Sequence, residues 1–226
     1  MDSTIGYGPI SEGSNPSGAT KIIFGYLGFI SYIWTMLKQY KLNWALDTLP
    51  TELDSKDELI YELIAETAND SNSSKFREDV TKWMVGLEIS EGKRGYDDDF
   101  QPIEVKPKNY TGKSKLNGGG TFSDFTWRRD KKYSDDGCVM LISGFSYGKL
   151  VFVVQFDYKT LQSKIQKQLK KHLPNGDMQS RYVRSASFSY LDWKDDFELK
   201  YLSPNFESFK ESFTSGLYKV LLNYGK

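Results

Sequence analysis

Apolar residues recur at helical spacing in two segments of the N-terminal half. A Ser-x-x-Glu capping box at residues 55–58 precedes the first repeat, which predicts a helix over 57–68. The polar stretch 69–74 ends this helix, and a second repeat predicts another over 75–87. The predicted buried stripes are Leu59, Ile60, Leu63 and Ile64 in the first helix, and Phe76, Val80, Trp83 and Leu87 in the second.

The C-terminal half combines strand and helix patterns. Two nearly continuous apolar runs, 139–145 and 150–156, are separated by Ser-Tyr-Gly-Lys and predict a β-hairpin in the centre of a sheet. The pattern then predicts a helix over 160–173, a strand over 182–193 and an aromatic helix over 205–224.

This order of elements predicts an α/β (α+β) fold with a mixed central β-sheet flanked by helices. Residues 1–20 are rich in Ser, Gly and Pro and predict a flexible tail. Residues 21–226 are expected to form one domain, with a helical part at 21–87 and a sheet-containing core at 88–226. Within that core, the polar segment 109–137 predicts irregular loops.

The apolar run 22–37 has 16 residues, fewer than the ~20 of a membrane-spanning helix. We therefore expect a buried helix there and no membrane contact, and a peripheral or membrane-inserted segment is the alternative. The polar N-terminus lacks the basic segment that opens a signal peptide, so a cytoplasmic location is expected.

Charge is balanced overall but uneven along the chain. Residues 1–103 carry 9 Lys/Arg and 17 Asp/Glu, whereas residues 104–226 carry 21 and 13. The basic half is compatible with a polyanionic partner, and mutual attraction of two surfaces within one domain is the alternative. One cysteine and one histidine exclude an internal disulfide and a structural zinc site. Enzymatic chemistry would therefore rest on carboxylates, lysines and a metal ion.

The segment 97–106 places such residues together. Alternate residues of a strand share a face, so Glu104 and Lys106 point the same way and their apolar neighbours point into a core. A turn at 98–101 would fold Asp97 back beside Glu104. Two carboxylates could hold Mg²⁺ with the help of the Val105 carbonyl, while Lys106 lies beside the attacking water.

The pattern Asp97-x6-Glu104-x-Lys106 resembles the signature of the PD-(D/E)XK nuclease superfamily, which includes type II restriction endonucleases and a mismatch-repair nuclease. The resemblance implies a restriction-endonuclease-like fold, with the aspartate and the ExK motif on adjacent strands. Tyr96 stands where the signature has proline, and Asp98 or Asp99 could replace Asp97 as ligand.

An upstream helix often supplies another acid in this superfamily. Glu62, on the capped helix, is the preferred candidate for that role, and Glu78 is the alternative. The resemblance predicts a Mg²⁺-dependent endonuclease of double-stranded DNA. It further implies a homodimer that cuts both strands and, for a restriction enzyme, a cognate methyltransferase.

Basic and aromatic residues that follow the ExK strand are the candidates for DNA contact. Trp127 would enter a groove or stack on a base, or would instead anchor a loop to the core. The alternative function is a non-catalytic nucleic-acid-binding or protein-interaction module with a solvated acidic hairpin. The candidate DNA contacts are Lys108, Lys113, Lys115, Trp127, Arg128, Arg129, Lys131 and Lys132.

Overall fold

Helices and strands alternate through most of the chain in the computed structural model. The chain separates into two units, residues 1–39 and 40–226. The predicted tail and most of the apolar run 22–37 lie outside the described residues. Within the described part, no helix has the length and apolar character needed to cross a membrane. The structure describes residues 32–70, 74–88, 96–97, 101–177 and 181–225.

Of the first unit, residues 32–39 are described, and they are helical. The second unit begins with helical residues 40–45 (α1) and contains short 3-10 helices at Tyr190–Asp192 and Phe206–Ser212. Its other elements are α2 (Ser55–Asn69), α3 (Lys75–Met84), β1 (Ile103–Tyr110), β2 (Gly120–Phe125), α4 (Trp127–Asp135), β3 (Val139–Ser146), β4 (Lys149–Asp157), α5 (Lys159–His172), β5 (Val183–Phe188), β6 (Glu198–Leu202) and α6 (Ser215–Leu222).

Four strands form a mixed sheet in the order β1-β3-β4-β6, which confirms the predicted sheet flanked by helices. β1 pairs parallel with β3, whereas β3 with β4 and β4 with β6 are antiparallel. A parallel pair needs a crossover, and β2 and α4 provide it. β2 itself pairs with β5 in a separate two-stranded antiparallel sheet.

Both faces of β1 are covered: one face carries apolar residues, and the other carries Glu104. Ile103 and Val105 pack with Leu141 of β3 in a small apolar cluster. Glu104 projects to the opposite face, where Tyr133 of α4 belongs to the main core. The site residues of β1 therefore lie under α4.

The predicted hairpin is present as β3 and β4, and their side chains are buried almost throughout. The predicted helix after it is α5, which buries Leu161, Ile165 and Leu169 at every fourth position. Continuous apolar runs and a regular stripe thus predicted the centre of the fold correctly.

The loop predicted over 109–137 was wrong, because this segment contains β2 and α4. The Thr126 hydroxyl caps α4 by accepting a hydrogen bond from the Arg129 N–H at 3.2 Å. α4 is mostly polar and buries only Asp130 and Tyr133. Because α4 has so few apolar residues, its sequence shows no apolar repeat at helical spacing.

The predicted helix over 205–224 is interrupted. Phe213 is extended and forms a parallel bridge with Leu116. Leu116 donates to the Ser212 carbonyl at 2.7 Å and accepts from the Thr214 N–H at 2.9 Å. These bonds divide the segment into a 3-10 helix and α6. The predicted strand over 182–193 likewise ends at Phe188, and β6 was not predicted.

The first predicted helix begins one residue earlier than its capping box suggested. Asp54 is the N-cap, and its carboxylate accepts hydrogen bonds from the N–H groups of Lys56 and Asp57. The predicted stripe was also partly wrong, because Leu59 and Leu63 are exposed while Tyr61, Ile64 and Ala68 are buried.

Candidate active site

Asp97 folds back onto the start of β1. Its N–H donates to the Ile103 carbonyl at 2.9 Å, and its Oδ2 accepts the Val105 N–H at 2.7 Å. Two bonds from one residue to the same strand fix the carboxylate beside Glu104 and Lys106. The structure thus brings these three predicted site residues together. Asp98 and Asp99, the alternative ligands, lie outside the described residues.

Glu104 is 3% exposed, and both of its carboxylate oxygens are engaged. Oε1 pairs with the Lys106 ammonium, two residues along the same face of β1. Oε2 accepts a hydrogen bond of 2.7 Å from the Tyr133 hydroxyl. A buried carboxylate needs such partners, because it has lost the water that would otherwise solvate it.

The two carboxylates affect each other. Burial and then the Glu104 charge raise the pKa of Asp97 to about 6, although Lys106 and the Val105 N–H oppose the shift. Burial and Glu104 also raise the pKa of Tyr133, so this phenol stays protonated and donates. A divalent cation would relieve the repulsion between Asp97 and Glu104, as expected of a hard-metal site.

Helix α3 contributes to the site in a way that the sequence did not predict. The buried Lys82 ammonium donates to the Asp97 carbonyl oxygen. Glu78, one turn earlier on the same helix, adds to the upward shift in the pKa of Asp97. Glu62, the preferred helix acid, is instead exposed on α2. Of the two predicted candidates, Glu78 has an electrostatic effect on Asp97.

Tyr133 and the side chain of Arg129 are also part of the site. Arg129 donates to the Tyr133 hydroxyl from Nε at 3.2 Å and from Nη2 at 2.8 Å. The spacing of four residues on α4 allows this contact, so a helix prediction for this segment would have revealed the pair. Because the segment was predicted as a loop, the sequence did not indicate that Arg129 and Tyr133 lie on the same face of a helix.

The other predicted DNA-contact residues are dispersed. Lys113 and Lys115 are exposed in the loop before β2, and Lys115 lies 3.6 Å from Glu211. Lys131 pairs with Asp135 on the outer side of α4. Lys108 lies further along β1 and lines a polar cavity of about 350 Å³ with Lys164 of α5.

Trp127 anchors the start of α4. Its indole N–H donates to the Leu173 carbonyl at 2.9 Å, and its ring packs against the main core. Its main-chain N–H and that of Arg128 donate to the Asp177 carboxylate, each at 2.7 Å. These contacts agree with the alternative prediction for Trp127, in which its side chain anchors the segment to the core.

The residues present fit a metal ion in part. Asp97 and Glu104 supply two carboxylates, and Asp97 Oδ1 accepts no hydrogen bond from the described part of the chain. No group of three or more His, Cys, Asp or Glu suited to a metal occurs among the described residues. A cation here would be held by two side chains with main-chain oxygens and water, as is usual for Mg²⁺.

No protein-family model matches this chain, and no curated protein matches its sequence.

Proposed function

We propose that this chain is a Mg²⁺-dependent endonuclease that hydrolyses phosphodiester bonds of double-stranded DNA, as a type II restriction enzyme does. The observation that supports this proposal is that Asp97 folds back onto β1 beside Glu104 and Lys106, where burial and the Glu104 charge raise the pKa of Asp97 to about 6. Groups with strongly shifted pKa values are concentrated at functional sites.

Each residue has a defined role in this proposal. Asp97 and Glu104 would hold the metal ion, with the Val105 carbonyl as a candidate third ligand. The ion would supply Lewis acidity and an activated water. The Lys106 ammonium, which lies beside Glu104, would stabilise negative charge on the phosphate in the transition state. Tyr133 and Lys82 keep Glu104 and the Asp97 backbone in place.

The alternative, a binding module with a solvated acidic hairpin, fits less well. Glu104 is almost completely buried, and Lys106 is half-buried against it. A solvated hairpin would expose both. Metal-dependent hydrolysis uses two neighbouring carboxylates beside an ammonium, which is the arrangement of Asp97, Glu104 and Lys106.

The experiment compares two ExK sequences in the same chain. Glu198-Leu199-Lys200 on β6 has the same spacing as Glu104-Val105-Lys106, and its ion pair of 2.6 Å is exposed. Glu104→Gln and Glu198→Gln therefore make the same chemical change at a buried and at an exposed pair. Both proteins are incubated with methylated and unmethylated plasmid in Mg²⁺, Ca²⁺ or EDTA.

We expect the wild type and Glu198→Gln to cut plasmid in Mg²⁺ and not in EDTA. Glu104→Gln should lose about 100-fold or more of the rate, because a ligand and a transition-state interaction are lost together. The proposal is rejected if no protein cuts any plasmid with metal, or if Glu104→Gln cuts as fast as wild type.

A further inference from the structure

A cationic cleft lies beside the Glu104 site. It has a volume of about 420 Å³ and contains three basic side chains from the first two turns of α4. No carboxylate is among its described lining residues, so its charge is uniformly positive. The cleft is lined by Thr126, Arg128, Arg129, Lys132 and Tyr133.

Arg129 is held rigidly in this cleft. Two of its nitrogens donate to the Tyr133 hydroxyl, and Nη1 donates to the Ser123 carbonyl at 3.1 Å. Its guanidinium also lies 5.5 Å from the centre of the Phe125 ring. A guanidinium has five N–H groups, so two remain for a ligand. A side chain already fixed in place loses little further conformational entropy when it binds an anion.

Tyr133 joins the cleft to the proposed metal site. Its hydroxyl accepts from Arg129 and donates to Glu104, so one oxygen atom connects the two. Burial lowers the pKa of Arg129, but Tyr133, Glu104 and Asp97 together raise it by more, so the guanidinium is charged. An anion in the cleft would therefore lie a single side chain away from Glu104.

We propose that this cleft binds a phosphate group of the DNA strand, adjacent to the phosphodiester that is cut. This inference rests on the proposed hydrolytic function and assigns the position of its substrate. Arginine matches a phosphate in geometry and charge, and Arg128 and Lys132 add further positive charge at the rim. The phosphate so held would orient the strand across Asp97, Glu104 and Lys106.

The test measures binding without cleavage. A short fluorescent DNA duplex is titrated in EDTA and low salt with wild type, Arg128→Glu, Lys132→Glu and Lys131→Glu. Lys131 is the matched control, because it lies on the same helix and undergoes the same charge reversal but is absent from the cleft lining. Circular dichroism and thermal melting verify that each variant is folded, and Lys132→Gln repeats the test with a smaller change.

We expect Arg128→Glu and Lys132→Glu each to weaken duplex binding by about tenfold, and Lys131→Glu by about twofold or less. The slope of log affinity against log salt should fall by about one in each cleft variant and stay unchanged in the control. The inference is overturned if Lys131→Glu weakens binding as much as the cleft variants, or if the cleft variants bind like wild type.

Two further outcomes separate this inference from the parent proposal. In the first, inorganic phosphate displaces the duplex when its concentration equals that of the phosphate groups in the DNA. That result would show a site for free phosphate and overturn the assignment to a DNA strand. In the second, the cleft variants lose duplex binding selectively while the wild type shows no Mg²⁺-dependent cutting. That result would support DNA binding by the cleft and would reject only the proposed hydrolytic function.

Discussion

The hydroxyl of Tyr133 donates a hydrogen bond of 2.7 Å to Oε2 of Glu104, and the two residues are 29 positions apart in sequence. Glu104 comes from a strand at the end of the described sheet, and Tyr133 comes from α4, in the connection between β1 and β3. Because Tyr133 is completely buried, water does not replace it easily as the partner of the carboxylate. The orientation of Glu104 therefore depends on this phenol and on Lys106.

Replacing Tyr133 by Phe should weaken Mg²⁺ binding and slow cleavage by about tenfold or more, as is usual when a partner of a metal ligand is lost. Mg²⁺ dependence of cleavage and isothermal titration measure the two effects. Tyr158→Phe is the control, since this equally buried phenol donates to Asp130 at 2.8 Å. Both variants should lose about 1–3 kcal/mol of stability. An equal change in Mg²⁺ dependence in the two variants would contradict a specific role for Tyr133.

The stability of the metal-free protein should depend on Asp97 and on pH. Its folded-state pKa of about 6 lies above the value in the unfolded chain, so the folded state binds the proton more tightly. The stabilisation from this proton is complete below about pH 4 and disappears as the pH rises through 6. Asp97→Asn should therefore be more stable than wild type at pH 8, by at most about 3 kcal/mol, and equally stable near pH 3.

Urea denaturation in EDTA at the two pH values checks this expectation. Asp195→Asn, at an exposed aspartate, serves as the control and should show no such pH-dependent gain. A stability difference between Asp97→Asn and wild type that is the same at both pH values would contradict the assigned cause.

Metal affinity should also depend on the protonation of Asp97, but it should increase with pH where the stabilisation from the proton decreases. Asp97 must be deprotonated to bind a cation, so the Mn²⁺ or Mg²⁺ affinity should increase by up to about tenfold per pH unit below 6 and level off above it. Calorimetry in buffers of different ionisation enthalpy would measure the released proton directly. Affinity that is constant from pH 5 to pH 7 would show that Asp97 is not a ligand.

Two glycines with positive φ should respond differently to alanine. Gly118 and Gly176 both have positive φ, at +58° and +86°. A Cβ at Gly118 would lie 2.5 Å from the Trp193 ring, whereas a Cβ at Gly176 would meet nothing within 4 Å. We expect Gly176→Ala to cost about 1 kcal/mol and Gly118→Ala about 1–3 kcal/mol more. Equal losses in chemical denaturation would contradict the steric explanation.

The close contacts at Gly118 also explain a feature of the sequence. Three glycines follow one another at Gly118–Gly120. A Cβ at Gly119 would lie 2.4 Å from the Phe188 carbonyl oxygen, and one at Gly120 would lie 2.6 Å from the Phe188 ring. The glycines are therefore required for close packing of this segment against Phe188 of β5 and the Trp193 ring.

The parts of the fold that sequence predicted well are those with a strong apolar pattern. β3 and β4 are continuous apolar runs, and α5 has one apolar residue per turn. α4 gave no such pattern, because its two buried residues are an aspartate and a tyrosine that bond to other polar groups. Propensity and periodicity do not detect a helix whose buried face is held by hydrogen bonds.

The candidate site was predictable as far as local sequence determines it. Alternation along a strand was sufficient to place Glu104 beside Lys106, and the short connection was sufficient to return Asp97 to them. Lys82 and Tyr133 reach the site from separate helices, through packing that no single segment specifies. Sequence alone did not indicate the electrostatic effect of Glu78 on Asp97 for the same reason, because this effect depends on the packing of α3 against β1.

The position of β1 at the margin of the sheet has a consequence for heat sensitivity. Among the residues that the structure describes, this strand has a single sheet neighbour, β3, whereas β3 and β4 are each paired on both sides. Outer strands can detach in fluctuations that cost less than global unfolding. Detachment of β1 would scatter Asp97, Glu104 and Lys106 while the remaining strands stayed paired. Inactivation on warming should therefore precede the main melting transition.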